Sequence, residues 1–323
     1  MTSCLHASYY ADQAEQHTVP MVEQVLLARE TYRLRFRCPE IARRILPGQF
    51  LMIRLAGCND PLLGRPLALY DTQLGPDGKP HEIDVVYIAK GKLTTRLAAA
   101  QPGCLLDVWG PLGNGFVPRP TEQLIMVAGG IGQTPFLAVA QEQLGRRVYG
   151  DPARAGGCAK RVTFCYGARS ADRFAGLDDF RQAGADLRLA TDDGSLGHHG
   201  LVTDLLEQEL ASLAATEGSR TALPPQTTVG FPDHEEDSTE VEACSSPVRV
   251  LCCGPEPMME AVAAVAARHR VPCEVSLETP MACGIGICFT CVARIRDESG
   301  GWDYKRTCVE GPVFPAEQIV WQP

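Results

Sequence analysis

Short stretches in which apolar and polar residues alternate dominate the first third of the chain. Segments such as "GQFLMIRLA", "RPLALYDTQ" and "HEIDVVYIA" are rich in β-branched or aromatic residues, and Pro and Gly separate them. Such a series of short strands predicts an antiparallel β-barrel over residues 17–119. One short helix fits "TTRLAAAQ", and residues 1–16 are predicted to form a flexible tail.

The pattern changes after residue 120. Continuous apolar runs now lead into Gly-rich turns and helical periodicity, as in "QLIMVAGGIGQTPFLAVAQEQL" and "VRVLCCGPEPMMEAVAAVAARH". Apolar strands that alternate with helices predict a doubly wound α/β domain with a parallel sheet over residues 120–277. Residues 211–247 are rich in Ser, Thr, Pro and acidic residues and are predicted to be a flexible acidic insertion. Residues 278–323 are predicted to form a third, small unit.

Composition narrows the range of partners. The chain has 323 residues and a net charge of -9, so nothing in its electrostatics supports nucleic-acid binding. No apolar run reaches the roughly 18 residues that would span a bilayer, and the N-terminus does not resemble a secretory signal. We therefore expect a cytoplasmic protein without membrane contacts, in which disulfides are rare. Most of the 14 cysteines, such as Cys38, are expected to be small buried apolar residues.

Four cysteines depart from that expectation. Cys283, Cys288 and Cys291 follow the spacing C-x4-C-x2-C, and Cys308 comes after 16 more residues. This is the spacing of plant-type [2Fe–2S] proteins, in which a short loop and one distant Cys supply four thiolates. Glycines 284 and 286 suit such a loop because they tolerate unusual backbone angles. A zinc site is less well matched, since zinc usually takes two C-x2-C pairs, and structural or redox thiols are the third alternative.

Two neighbouring segments of the predicted barrel suggest a flavin. In "GRPLALYD" an Arg-Pro step, Arg65 and Pro66, begins a strand and could direct a guanidinium at a phosphate. In "VVYIAKGKLTTRLA", Tyr87 could offer an aromatic face to an isoalloxazine, and "GKLTT" begins a helix whose N-terminus favours phosphate. Each signal is weak alone, but together and in this order they favour flavin binding.

Two Gly-rich turns predict a nucleotide site in the second domain. A buried strand leads into Gly129, Gly130 and Gly132, and Pro135 opens a helix. The fingerprint G-x-G-x-x-G is missing, so tight packing is an alternative explanation. A matching turn follows a later strand at Cys253, Gly254 and Pro255. Two such turns at strand ends form the crevice in which α/β sheets bind nucleotides.

The order of these parts resembles the ferredoxin–NADP reductase superfamily. Within it, the chain is most similar to the family of electron-transfer subunits of class 1B dihydroorotate dehydrogenase, over about residues 19–323. The matching segments are "GPLGNGF" (110–116), "GGIG" (129–132), "TDDGS" (191–195), "CGPEPMM" (253–259), "MACGIGICFTC" (281–291) and "EGPVF" (310–314).

The resemblance implies an FAD site, with contacts at Arg65, Pro66, Leu67, Ala68, Val86, Tyr87, Ile88, Leu93 and Thr94. Three of these positions depart from the family, which usually has Ser at position 68, Arg at 88 and Gly at 93. The lost hydroxyl and guanidinium each remove a possible contact with the flavin or a phosphate, for which Lys90, Lys92 or Arg96 could compensate.

The resemblance also implies a role. An FMN-containing partner subunit would oxidise dihydroorotate, and electrons would pass through [2Fe–2S] and FAD in this chain to NAD+, in a heterotetramer with two copies of each subunit. No residue of this chain need act as an acid or base. One alternative is an NAD(P)H–ferredoxin or hydrogenase-type reductase subunit, and another is a non-enzymatic redox or zinc-binding regulator on a degenerate flavin fold. NAD rather than NADP follows from the resemblance alone, since Arg169 and Arg173 could meet a 2′-phosphate.

Overall fold

The N-terminal body is a closed six-stranded barrel. A computed structural model of the chain describes residues 10–217 and 247–321. The barrel strands are β1 (Glu15–Ala28), β2 (Thr31–Arg37), β3 (Phe50–Leu55), β4 (Arg65–Leu74), β5 (Pro80–Ile88) and β6 (Leu105–Leu112). All neighbours are antiparallel in the order β1-β2-β5-β4-β3-β6, and β6 pairs back with β1 to close the ring. The predicted antiparallel barrel is confirmed.

Two short helices accompany the barrel, α1 (Pro39–Ala42) and α2 (Lys92–Ala99). Helix α2 is the helix predicted from "TTRLAAAQ", and it begins two residues earlier because Thr94 closes its first turn. Strand β1 begins at Glu15, which pairs with Gly110, so the barrel starts inside the stretch predicted as a tail. Residues 1–9 of that predicted tail lie outside the described residues.

The second body is a seven-stranded sheet covered by helices on both faces. Its elements are β7 (Thr121–Gly129), α3 (Phe136–Gln143), β8 (Ala159–Ala168), α4 (Leu177–Ala183), β9 (Asp186–Thr191), β10 (His198–His199), α5 (Val202–Glu217), β11 (Val248–Cys253), α6 (Glu256–Arg268), β12 (Cys273–Ser276) and β15 (Val313–Pro315). The strand order is β10-β9-β8-β7-β11-β12-β15, and every pair except β12–β15 is parallel. The predicted doubly wound parallel sheet is confirmed.

Strand β7 shows why this domain has continuous apolar runs. Ile125 and Val127 pack with α5 and α6 on one face of the sheet, whereas Leu124, Met126 and Ala128 pack with α3 and α4 on the other. A strand that is buried on both faces has no polar alternation. Within the described residues, no helix is both long enough and apolar enough to cross a membrane.

The segment predicted as an acidic insertion is helical at its start. Helix α5 runs to Glu217, seven residues into the range 211–247. Residues 218–246 lie outside the described residues.

Several contacts fix the barrel against the sheet domain. Asp71 on β4 accepts hydrogen bonds from the Tyr149 hydroxyl at 2.9 Å and from the Arg147 guanidinium at 2.5 Å. The Tyr70 hydroxyl donates to Asp179 on α4 at 2.7 Å. These bonds hold β4 of the barrel against α4 and the segment after α3 in the sheet domain.

The C-terminal unit bridges the two bodies. A loop over residues 281–291 leads into the antiparallel hairpin of β13 (Val292–Arg296) and β14 (Trp302–Arg306). After that hairpin, β15 joins the parallel sheet as an antiparallel edge strand. The loop itself packs on β3 and β6 of the barrel.

Candidate functional site

The four cysteines of the C-terminal motif lie together. Cys283, Cys288 and Cys291 belong to the loop over residues 281–291, which we call the cysteine loop, and Cys308 lies in the turn after β14. Thr307 ties the two segments, because its backbone N–H and its hydroxyl donate to the Cys291 carbonyl oxygen at 2.8 and 3.0 Å. All four are free thiols.

The thiols are arranged as two pairs. Cys283 contributes to the lowered pKa of Cys288, and Cys308 is the largest cause of the lowered pKa of Cys291, so the two thiols of each pair lie near each other. A zinc ion bound by four thiolates at 2.3 Å would place all four sulfurs about 3.8 Å apart. Among residues 10–217 and 247–321, three ligand atoms lie within 4.8 Å of one another only at His17, Cys38 and Glu40. Two pairs of thiols fit a two-iron cluster, in which each iron takes two thiolates.

Local hydrogen bonds favour the ionised thiols that metals bind. The Thr290 hydroxyl donates to Cys288 at 3.1 Å, and it is the largest cause that lowers the pKa of Cys288 to about 6. The Cys308 thiol likewise lowers the pKa of Cys291 to about 6, and the pKa of Cys308 is raised by the same contact. A bound metal would displace the protons that remain on these thiols, because metals bind the ionised form.

The glycines of the cysteine loop have the unusual backbone angles that the sequence predicts for them. Gly284 and Gly286 have φ values of +75° and +82°. A Cβ at Gly284 would lie 2.6 Å from the Met52 Cγ of β3, so the loop backbone touches the barrel directly. The Ile285 N–H donates to the Cys283 sulfur at 3.4 Å, which stabilises charge on that sulfur.

The barrel wall under the cysteine loop also carries the predicted flavin strand. The Trp109 indole N–H on β6 donates to the Cys283 carbonyl oxygen at 2.9 Å. The same indole lies against Gly64, where a Cβ would be 2.8 Å from its Cη2 atom. Across β3, Met52 contacts the loop and pairs with Pro66. One layer of side chains therefore separates the cysteine loop from the start of β4.

The Arg-Pro step begins β4, as predicted. Arg65 is half-buried, and its guanidinium donates to the Gly64 and Leu63 carbonyl oxygens at 2.9 and 3.3 Å, which fixes its direction. The Thr94 hydroxyl accepts from the Gly91 N–H at 3.0 Å and caps α2. The first turn of α2 then presents N–H groups that suit a phosphate.

The prediction that Tyr87 offers its ring to a flavin is wrong. The ring is 1% exposed, stacks on Tyr32 at 5.8 Å inside the barrel, and its hydroxyl donates to Gln24 at 2.7 Å. Because side chains alternate along β5, Val86 and Ile88 point to the opposite face. Leu93 is also buried in the barrel core, so the Leu at this position does not project toward a cofactor.

The other predicted flavin contacts on β4 and the three cations that could compensate for the missing Arg differ in their surroundings. Leu67 is buried in the barrel core, and Ala68 is half-buried on the same strand. Lys92 and Arg96 both pair with Asp60, whereas Lys90 lines the cavity between the barrel and the parallel sheet.

A cavity of about 980 Å³ lies between the barrel and the carboxyl edge of the parallel sheet. Ile88 lines it from the barrel side, and Gly129, Gly130 and Pro255 line it from the sheet side. The chain reverses its strand order between β7 and β11, which is where open α/β sheets bind ligands.

The two predicted Gly turns touch each other at that point. A Cβ at Gly132 would lie 2.3 Å from the Cys253 carbonyl oxygen, and one at Gly254 would lie 3.0 Å from the Gly129 N. The glycines therefore allow the backbones to meet, as tight packing requires, and both turns contribute residues to the lining of the cavity. Pro135 is buried at the N-cap of α3, as predicted.

The motif "TDDGS" builds one rim of this cavity. Asp193 accepts hydrogen bonds from the Ser195 N–H and hydroxyl at 2.9 and 2.5 Å, and Ser195 accepts from the Ala171 N–H at 2.8 Å. Asp192 and Arg169 line the cavity beside that loop. Nearby, His198 of β10 pairs with Asp204 at 3.1 Å on the surface.

Glu278 is a lining residue that the sequence did not single out. It accepts a hydrogen bond from the Cys253 thiol at 3.9 Å, and burial raises the pKa of both groups. Trp109 was missed as well. The residues next to Glu278 and Trp109 in the sequence form no motif that predicts a functional role. Only the contacts that these two side chains make in the folded protein identify them.

The group at His17, Cys38 and Glu40 is explained by its own contacts. The Cys38 thiol donates to Glu40 at 3.9 Å, His17 pairs with Glu15 at 3.0 Å, and Glu15 pairs with Arg44 at 3.0 Å. These polar groups satisfy one another where β1 meets α1.

The barrel, the doubly wound sheet and the paired thiols define a flavin-dependent reductase with an appended iron–sulfur domain. Comparison with known proteins agrees. Residues 18–116 match the oxidoreductase FAD-binding domain, and residues 278–320 match the iron–sulfur cluster binding domain of dihydroorotate dehydrogenase B.

Two curated relatives cover almost the whole chain. The dihydroorotate dehydrogenase B (NAD(+)) electron transfer subunit of Desulforamulus reducens is 33% identical over 92% of this chain and 95% of its own length. The corresponding protein of Shouchella clausii is 32% identical over 95% of this chain and 98% of its own length. The chain belongs to the family of dihydroorotate dehydrogenase B electron transfer subunits, and the resemblance found in the sequence is confirmed.

Solved structures show the same architecture. The NADH-dependent reduced ferredoxin–NADP oxidoreductase superposes with a TM-score of 0.67 at 26% identity, over 94% of this chain and 90% of that one. The ferredoxin reductase of carbazole 1,9a-dioxygenase, at 18% identity and a TM-score of 0.57 over 80% of this chain and 67% of its own, shows the fold alone.

Proposed function

We propose that this chain carries electrons from an FMN-containing dihydroorotate dehydrogenase catalytic subunit, through a [2Fe–2S] cluster and FAD, to NAD+. The reaction would serve de novo pyrimidine biosynthesis in the cytoplasm, in a heterotetramer with two copies of each subunit. Family membership supports the partner and the dinucleotide, since the relatives are named as NAD(+)-dependent electron transfer subunits.

The contact of the cysteine loop with the flavin-strand wall carries this proposal. Trp109 touches Gly64, beside Arg65, and hydrogen-bonds to the carbonyl of Cys283. An iron–sulfur cluster supplies single electrons, a nicotinamide takes a hydride, and a flavin converts between them. A flavin that converts between the two must lie near the cluster, and the contact between the cysteine loop and the wall beside Arg65 supports that arrangement.

The chain's own residues then have separate roles. Cys283 and Cys288 would hold one iron, and Cys291 and Cys308 the other, an assignment that the proximity of the thiols within each pair supports. Arg65 and the first turn of α2 would hold FAD phosphates. Gly129 and Gly254 would let the nicotinamide dinucleotide approach the sheet edge. None of these groups needs to give or take a proton.

The surface around the cysteine loop supports a protein partner. Ile287 and Phe289 are 73% and 64% exposed, and Ile285 beside them is 38% exposed. Neighbouring apolar side chains that remain exposed on a polar protein are typical of an interaction surface. Electrons from a partner's flavin would enter the cluster at this point.

The test begins with the chain purified without oxygen and assayed for FAD, iron and sulfide. We expect one FAD and two irons per chain, and zinc in place of iron would refute the assignment. Cys288→Ser should abolish electron transfer from the partner and dihydroorotate but spare NADH oxidation with a flavin-directed dye. The matched variant is Cys104→Ser, whose half-buried thiol lies on the barrel, and both activities should survive in it.

A second candidate is a subunit that couples NAD(P)H to ferredoxin. The similarity to the NADH-dependent reduced ferredoxin–NADP oxidoreductase structure, at a TM-score of 0.67, favours it. Reconstitution distinguishes the two. Dihydroorotate-dependent NADH formation with the FMN subunit supports the first function, and reduction of ferredoxin by NAD(P)H without that subunit supports the second.

A further inference from the structure

Arg306 touches both segments that carry the four cysteines. It ends β14, two residues before Cys308. Its Nη1 donates to the Gly286 carbonyl oxygen at 3.0 Å, and its guanidinium carbon lies 5.3 Å from the centroid of the Phe289 ring. One side chain therefore contacts the cysteine loop from the segment that bears the fourth cysteine.

Glu310 fixes this guanidinium from behind. Its carboxylate accepts from the Arg306 backbone N–H at 2.6 Å and from Nε at 3.2 Å. The Glu310 and Val309 N–H groups donate back to the Arg306 carbonyl oxygen at 2.8 and 3.1 Å. The ion pair is thus a dipole, and its positive end, Nη1, is the end that touches the cysteine loop.

We propose that Arg306 sets the reduction potential of the cluster and positions the cysteine loop around it, an inference that rests on the proposed function. The added electron makes the cluster more negative, and a fixed positive charge beside it favours that state. The Arg306 side chain is 22% exposed, so solvent screens this effect only in part. Arg306 itself gains or loses neither a proton nor an electron.

The experiment measures the midpoint potential of the cluster in the holoprotein, by electron paramagnetic resonance during titration with dithionite as the electron donor. Arg306→Gln should make one-electron reduction about tenfold less favourable, which is a shift of ~59 mV to lower potential. Arg306→Lys keeps the charge and should stay near the wild-type potential. Arg296→Gln removes an exposed Arg from β13 of the same hairpin and should change nothing.

A charge effect also predicts a shift of opposite sign. Glu310→Gln removes the negative end of the dipole and should move the midpoint to higher potential, which a purely structural defect would not do. This variant decides the matter if Arg306→Gln fails to retain iron. The inference is overturned if Glu310→Gln does not raise the potential, or if Arg296→Gln shifts it as much as Arg306→Gln. A wild-type chain without iron and sulfide would instead refute the proposed function.

Discussion

Replacing Trp109 with Phe tests the contact on which the electron route depends. The change removes the indole N–H that donates to the Cys283 carbonyl oxygen at 2.9 Å, and it shortens the ring that lies against Gly64. A hydrogen bond of this kind contributes about 1 kcal/mol net. The lost part of a half-buried ring adds up to about 1 kcal/mol more.

Together these losses weaken the attachment of the cysteine loop to the barrel by about 1–2 kcal/mol. That free energy corresponds to a factor of roughly 5–30 in the population of the detached loop. Hydrogen exchange followed by mass spectrometry measures that population directly, since exchange reports local opening. We expect amides of residues 283–291 to exchange faster by this factor while the amides of β2 keep their wild-type rates.

Trp302→Phe is the matched control, because it makes the same substitution at an exposed Trp on β14. Iron content should remain at the wild-type level in both variants, so that loop opening rather than cluster loss is measured. The reasoning is refuted if the exchange of residues 283–291 does not change in Trp109→Phe, or changes equally in Trp302→Phe.

Two further predictions concern packing and pH. Gly132→Ala places a methyl group 2.3 Å from the Cys253 carbonyl oxygen. We expect it to destabilise the sheet domain by about 1–3 kcal/mol in urea unfolding and to weaken NADH binding in calorimetry. Gly130→Ala, in the same turn but with open space at its Cβ, should lose only about 1 kcal/mol from its φ of +55°, and equal effects would contradict the crowding argument. Burial raises the pKa of the Cys38 thiol from 9.0 to about 11, so its contribution to stability is complete below pH 9 and is lost as the pH rises through 11. Cys38→Ala should remove about 3 kcal/mol of this alkaline loss in urea unfolding, and an unchanged pH dependence would show that the thiol does not ionise on unfolding.

The departures at Ala68, Ile88 and Leu93 show how far residue identity alone can be interpreted. Leu93 stands where the family has Gly, yet its side chain packs into the barrel core and leaves the helix N-terminus open. Ile88 does line the cavity at the carboxyl edge of the sheet, at the position where the resemblance implies an Arg. Two departures from the family therefore have different consequences. The position of a residue along its strand or helix decides whether its side chain points into the barrel core or into the cavity.

The sequence by itself determined the order of the parts and the local chemistry. Spacing specified the four cysteines, since a short loop around two irons needs thiols at fixed intervals. Alternation predicted the barrel, and continuous apolar runs predicted the parallel sheet, because these periods follow from which faces are buried. The contact between the turns at Gly132 and Cys253 could be anticipated from the glycines, which mark close backbone approach.

Only the tertiary structure decided which of these parts meet. A Tyr on a strand of alternating residues can face either side of that strand, so the sequence did not show whether the Tyr87 ring is exposed. The closed barrel decides this, because it buries the ring. Trp109 and Arg306 carry no motif, yet one joins the cysteine loop to the flavin strand and the other joins the two cysteine segments. Contacts between residues so far apart in the chain depend on how strands β3, β6 and β14 are placed in space, and local periodicity contains no information about that placement.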